Sequence, residues 1–311
     1  MMRGQKNMCA ELTGTKSEIK PDELKILICC HKKTVLPENE LFLPIHVGAA
    51  ISSENLEMQR DDMLNDMPCD NISSKNKSFC ELTAMYWAWK NIKKIYPNIK
   101  YIGLNHYRRY FNLTKKFYDS YIRPEEAVSE YSIDVHKLNK ILQKNKSIVS
   151  NFRVYPYSLD IDYCRCHFSE DIKTLEKIVS ELYPDYKNSF NRIIKENNKI
   201  SPCNMFVLPY DKFESYCEWL FRILFEAERR INIENYNDMQ KRIFGYMAER
   251  LFNVWIYHNS IKVKHLPVSM YVNNTKQLSI TKYSRMLVKS NISFSLMIGI
   301  KNSLKYLFKP F

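Results

Sequence analysis

Two periods of apolar spacing alternate along this chain and mark its elements. Leu24-Lys-Ile-Leu-Ile-Cys29 is a short apolar run of buried-strand length. Ile45-His-Val47, closed by Gly48, reads as a second short strand. Leu82, Met85, Tyr86, Trp89 and Ile92 then recur at helical spacing on one face, with Pro97 as the stop. Ser78-Phe-Cys-Glu81 ahead of them has the capping-box form S-x-x-E, which predicts a helix start there. Tyr101–Leu104, Lys146–Ser150, Met205–Leu208 and Ile261–Val268 are further strand candidates. Ser169 begins a helix carrying Leu175, Ile178, Val179 and Leu182 on one face. A second capping box, Asp211-Lys-Phe-Glu214, precedes Cys217, Leu220, Phe221 and Leu224. Asp238 opens a last helix with Ile243, Met247, Leu251, Val254 and Trp255. Strands alternating with helices predict an α/β, Rossmann-like single domain over residues 21–275, with a mostly parallel central sheet. Residues 52–76 form a long polar excursion, the kind of loop that is often functional.

Composition narrows the function. With 311 residues and 45% hydrophobic positions the chain can bury a large core. It has six glycines, none close to another. That excludes a P-loop and a G-x-G-x-x-G turn, which need clustered glycines so that backbone N–H groups can approach phosphates. A nucleotide would therefore be held mainly by side chains. Nine cysteines, an odd number with no C-x-x-C, read as free thiols in a reducing compartment. Cys29, Cys30, Cys203 and Cys217 are expected in the core.

The formal charge is +13, and from Lys276 to Phe311 seven basic residues occur with no acid. A basic tail fits an anionic surface better than a nucleic-acid footprint, which would place a basic stripe within the fold. The tail alternates Leu287, Val288, Ile292, Leu296, Ile300, Leu304 and Phe308 with lysines. It suits an amphipathic segment in a membrane interface, and its uncharged stretch is too short to span. Residues 1–20 are polar, have no apolar signal-peptide region, and read as a flexible arm.

Candidate chemistry lies where strands should end, because ligands of open α/β sheets bind outside the C-terminal ends of the strands. His31-Lys32 follows the first strand, and His106-Tyr-Arg108-Arg109 follows the third, with Gly103 just before to permit close ligand approach. Adjacent arginines match diphosphate oxygens bidentately; a salt bridge to acids elsewhere is the competing use. Asp70 and Asn71 could bond a base or ribose, or simply make a turn. Glu249-Arg250 could be an internal ion pair. Asp160-Ile-Asp162 has the D-x-D spacing of a divalent-cation site, and Cys164-Arg-Cys166-His167 is poor zinc spacing without a second pair.

A longer series of residues carries a family resemblance. Cys30-His31-Lys32, Pro44-Ile-His-Val-Gly48, Asp70-Asn71-Ile-Ser73, Glu81-Leu-Thr-Ala-Met-Tyr-Trp-Ala-Trp-Lys-Asn91 and His106-Tyr-Arg-Arg-Tyr-Phe111 come in order. Asn204-Met-Phe206 and Gly245-Tyr-Met-Ala-Glu-Arg-Leu-Phe252 continue it. The chain resembles the DUF4422 family of capsular and exopolysaccharide glycosyltransferases from about residue 24 to 270. The resemblance implies a GT-A-like fold and transfer of a sugar, with galactofuranose from its UDP donor as one lean. It implies a lipid-linked glycan acceptor and a place on the inner face of the bacterial plasma membrane, reached through residues 276–311. On that basis His106, Arg108 and Arg109 are expected to stabilise the departing diphosphate where other GT-A enzymes use a metal. Glu249 is the favoured general base, with Asp162 as the rival. His31, Lys32, Asp70, Asn71, Gly103 and Asn204 are expected near the donor. No cofactor is required on this reading, and manganese or magnesium stays open as an addition. Nucleic acid is not an expected partner. The alternative is a catalytically silent nucleotide-sugar binder acting as a partner subunit.

Overall fold

A computed structural model describes residues 18–113, 121–144 and 146–272, together with Leu296. The arm expected at the N-terminus lies outside them except at its end, and so does the basic tail apart from Leu296.

Ten strands form one sheet among the described residues. They are Leu24–Cys30 (β1), Phe42–His46 (β2), Gln59–Arg60 (β3), Tyr101–His106 (β4), Arg109–Phe111 (β5), Tyr121–Pro124 (β6), Ser147–Ser150 (β7), Phe206–Pro209 (β8), Val263–Leu266 (β9) and Val268–Val272 (β10). The main path runs β9-β7-β8-β4-β1-β2-β3. β1 pairs in parallel with β2 and β4, β2 with β3, and β7 with β9; β8 alone runs antiparallel, between β4 and β7. A side branch of β5, β10 and β6 folds away from the end of β4 through the turn Tyr107-Arg108. The expected α/β architecture with a mostly parallel sheet is present.

All seven residues of β1 are buried, as a strand covered on both faces requires. One face carries the helices Leu82–Ile95 (α1), Leu159–Cys166 (α3), Ser169–Leu182 (α4), Tyr210–Arg230 (α5) and Ile243–His258 (α6), with Trp87, Phe206, Phe221, Phe244 and Trp255 in the shared core. The other is covered by Val135–Leu142 (α2), the short helix Glu125–Glu130 and the segment around Leu41, with Tyr110, Phe111 and Leu142 inside.

Several expectations change. Neither capping box forms. Ser78 falls inside a separate short helix, Asn76–Phe79, and its hydroxyl donates to the Lys75 carbonyl (3.2 Å). The chain breaks at Cys80, at φ 53°, and α1 begins after Glu81 with no side-chain cap. α5 follows Pro209, again with none, and the Asp211 carboxylate lies by Lys212 (3.4 Å). Asp238–Lys241 is a short helix of its own, capped by Asn237. The last strand splits at Pro267 into β9 and β10, since proline lacks the N–H a ladder needs. Residues 52–76 are not one loop but hold β3 and the hairpin 63–68.

Gly103 also has a different task from the expected one. A Cβ there would stand 2.9 Å from Ile26 Cγ1 and 3.2 Å from the Phe206 carbonyl oxygen. The missing side chain lets β4 pack between β1 and β8 rather than opening space for a ligand.

Candidate functional site

The C-terminal ends of β1 and β4 bring together what the chain holds apart. β8 runs the other way, so the residues entering it, Cys203 and Asn204, arrive at the same end. Both take left-handed backbone angles, φ 71° and 50°. Two consecutive non-glycine residues in that region cost of order 1–3 kcal/mol each. The bonds that hold them there define the site.

Glu249, on α6, accepts a hydrogen bond from the Cys203 amide (Oε1, 2.9 Å). Glu81 accepts from the Asn204 side-chain amide (2.7 Å), which also reaches the Gly245 carbonyl (3.4 Å). His106 Nε2 donates to the Cys203 carbonyl (2.8 Å). Three side chains from three elements thus converge on one dipeptide. Gly245 lets α6 approach closely, because a Cβ there would be 3.3 Å from Cys80 Sγ.

Electrostatics separate the groups. Burial, reinforced by the Glu81 carboxylate, holds the Glu249 carboxyl above its ordinary value against the pull of Arg250 and Arg153. Burial pushes the Cys203 thiol up to about 11, so it is no thiolate nucleophile at neutral pH. Burial holds His106 below the usual imidazole range, with Arg109 and Arg242 adding to the effect and Glu81 opposing it. His106 is therefore a neutral Nε2–H donor that positions Cys203, and the expected cationic role falls to its neighbours.

Those neighbours form a positive rim. His31, at the end of β1, is depressed by burial and then by Lys32, Arg108 and Arg242. Lys32 lies over the Tyr107 ring (5.5 Å) and loosely by Glu125 (3.9 Å); Arg108 stacks over the same ring (5.3 Å). Arg242 Nε donates to Cys80 Sγ (3.4 Å). Among the described residues Arg109 Nε is buried without a hydrogen-bond partner, and both side-chain amide atoms of Asn105, one residue before His106, share that condition. Buried polar atoms of this kind call for a partner, a water or a ligand, and here they lie at the strand ends beside His106.

Asp70 and Asn71 are not brought to this cluster. Asp70 accepts from Tyr86 (3.1 Å), and its carbonyl accepts from Asn91 (2.9 Å), farther along α1 than Glu81. Asn71 bonds the Cys69 carbonyl and the Ser73 amide, which is turn chemistry. Asp162 pairs with Arg250 (3.1 Å), whereas Glu249 accepts from a backbone amide and is in no ion pair among the described residues. Asp160 accepts from the Ser158 hydroxyl (2.5 Å). Two apart on a helix, Asp160 and Asp162 face different ways, and this D-x-D does not fit a divalent cation. His167 is held by Gln240 (2.9 Å) with Cys164 and Cys166 exposed, and no group of three or more His, Cys, Asp or Glu among the described residues is placed to hold a metal.

Sequence reasoning missed Glu81 and Arg242. Glu81 was absorbed into a capping pattern. Arg242 sits in a polar stretch between helices that has no periodic signal.

The model of the family described as a domain of unknown function, DUF4422, matches residues 25–260. The chain belongs to the DUF4422 family. A solved structure, the apo form of the bifunctional glycosyltransferase WbbM, is similar with a TM-score of 0.70 and 29% identity. The match covers 81% of this chain and 46% of that one, so the DUF4422 chain spans less than half of its structural relative. No curated protein matches the sequence. The α/β fold with its mostly parallel sheet is thus similar to that of a glycosyltransferase, consistent with the expected GT-A-like architecture.

Proposed function

We propose that this DUF4422 chain is a glycosyltransferase. It takes a sugar from a nucleotide-sugar donor, UDP-linked, such as UDP-galactofuranose or another UDP-hexose. It delivers the sugar to a lipid-linked intermediate of capsule, exopolysaccharide or O-antigen synthesis. One observation carries the reading: a carboxylate of raised proton affinity, Glu249, shares the surroundings of Cys203 and Cys80 with Arg109 and Arg242 at the strand ends, and Lys32 and Arg108 continue the positive charge around His31. The likeness to WbbM supports the same reaction class.

The chemistry follows from the charges. The acceptor hydroxyl passes its proton to Glu249 while its oxygen bonds to the anomeric carbon. The bond from that carbon to the diphosphate breaks, and its electron pair leaves with the diphosphate. The rim meets the charge that develops there, and preorganised donors of this kind stabilise the transition state more than the ground state. Glu81 keeps the proton affinity of Glu249 high through like-charge repulsion. Residues 276–311 hold the enzyme against the anionic cytoplasmic leaflet, where such acceptors are carried.

The test is a panel of UDP-, GDP- and dTDP-sugars offered with and without chelator. Release of UDP from one donor, unchanged by chelator, is expected. Nucleotide-sugar binding without release from any donor, acceptor present, would replace the enzyme by a silent binding subunit.

A further inference from the structure

The edge of the sheet at β9 carries a second charged surface, separate from the site. Residues 135–159 and 250–311 hold no aspartate or glutamate. The fold places α2 and β9, one from each acid-free stretch, on either side of one cavity of about 470 Å³. Lys140, Lys144 and Lys146 come from α2 and the turn after it, Lys264 from β9, and Ile141 and Leu266 form apolar floor between them. All four lysines are exposed, and none is in an ion pair among the described residues. Around β9 a second cavity, about 600 Å³, adds the exposed Lys199 and Lys262 beside Phe152, Ile256 and Val263, and its one acid, Glu196, is paired with Arg192 (3.2 Å).

Lysines on or next to an edge strand also deter pairing with another sheet, which accounts for Lys264 and for Lys262 just before the strand. It does not account for Lys140, Lys144 and Lys146, which come from a different element. An unpaired cation cluster with apolar side chains among it is complementary to anionic head groups over acyl chains. The chain leaves the sheet through β10, directly after β9, into residues 273–311, where seven more basic residues follow.

We propose that this edge is a docking face for an anionic phospholipid bilayer, which orients the folded domain on the membrane. β9 lies two strands from β8, roughly 10 Å. Ser201 and Asn253 line the larger cavity, and Asn253 also donates to the Glu249 carbonyl (2.8 Å). Docking here would set the carboxylate pair beside the bilayer surface. The use of the face by the enzyme rests on the transfer reading above; binding to lipid does not.

The experiment is sedimentation of the full chain with vesicles of phosphatidylcholine alone, or of phosphatidylcholine and phosphatidylglycerol at three to one. Binding only to the anionic vesicles is expected, weakening as salt rises. Each lysine near such a surface contributes about fivefold in affinity, so K140E/K144E/K264E should weaken binding by at least ~100-fold. UDP release from soluble donor should be unchanged in that variant, which keeps failure of this idea distinct from failure of the transfer reading. A control of equal charge change, K90E/K94E/K212E on α1 and α5, should retain binding substantially better, and matching thermal melts check the fold of both. Undiminished vesicle binding by K140E/K144E/K264E would overturn the proposal. So would equal losses in the two triple variants, or capture by heparin with none by anionic vesicles, which would point to an acidic polymer instead.

Discussion

In the proposed reaction Glu249 is the residue on which the chemistry turns. As a general base it is worth about 10²–10⁴ in rate, so Glu249→Gln should lower turnover by that factor while leaving donor affinity near wild type. Steady-state kinetics with the responsive donor check this. Because burial and Glu81 raise its proton affinity, the acid limb of kcat/KM should lie above the ordinary carboxylate range. Glu81→Gln removes the neighbouring negative charge, so that limb should move to lower pH. A pH–rate profile in which the limb stays put would show that the two carboxylates are not coupled. Arg109 has a buried donor with no hydrogen-bond partner among the described residues. Arg109→Ala should cost about 10²–10³ in kcat if that donor meets the leaving diphosphate. A change confined to stability would reduce it to a structural residue.

Gly103 shows how an element constrains a residue. A methyl group there meets Ile26 and the Phe206 carbonyl at once, so Gly103→Ala should destabilise the fold by about 1–3 kcal/mol, read as a lower denaturant midpoint. The same strand shows what sequence can and cannot reveal. Its apolar run predicted a strand over 101–104, and the structure extends it to His106. Six of the ten strands, the long helices and the mostly parallel sheet are legible because apolar spacing records burial directly; the short β3, β5 and β6 carry too few residues to show a period. Of the site, His31, Lys32, His106, Arg108, Arg109, Asn204 and Glu249 were legible as residues, but their roles were not. His106 carries a charge-bearing ring in the sequence and a neutral, buried one in the fold, because desolvation is a property of neighbours that packing supplies. Glu81 was hidden for the opposite reason. Its spacing from Ser78 fits a local cap, and only the left-handed break at Cys80 frees it to reach Asn204. Asp70 and Asn71 follow a strand-end expectation, but their side chains are taken up by Tyr86 and by the turn 69–73.

Taken together, the histidines make the molecule acid-sensitive. Five of its seven, His31, His46, His106, His167 and His265, are held below their ordinary value with burial as the first cause. The unfolded chain binds protons at these sites near pH 6.5 that the folded chain refuses until lower pH, so stability falls as pH drops through that range. Glu249, Asp162 and Asp171, raised by burial, act in the opposite direction but are fewer. The melting temperature should therefore be lower at pH 6.0 than at pH 7.5; an equal or higher one would contradict this balance. No helix among the described residues is long and apolar enough to cross a membrane. The membrane contacts proposed for the β9 edge and for residues 276–311 are surface contacts of the same sign, and on the proposed reaction they would bring the strand ends toward a lipid-borne acceptor. The measurement that bears most directly on the whole account compares the wild-type chain with Glu249→Gln on one nucleotide sugar, following binding by calorimetry and UDP release in parallel. The account predicts that both bind the donor with similar affinity and that only the wild-type chain releases UDP at an appreciable rate. Equal UDP release by the two would contradict it, because the carboxylate at the centre of the site would then have no part in the reaction.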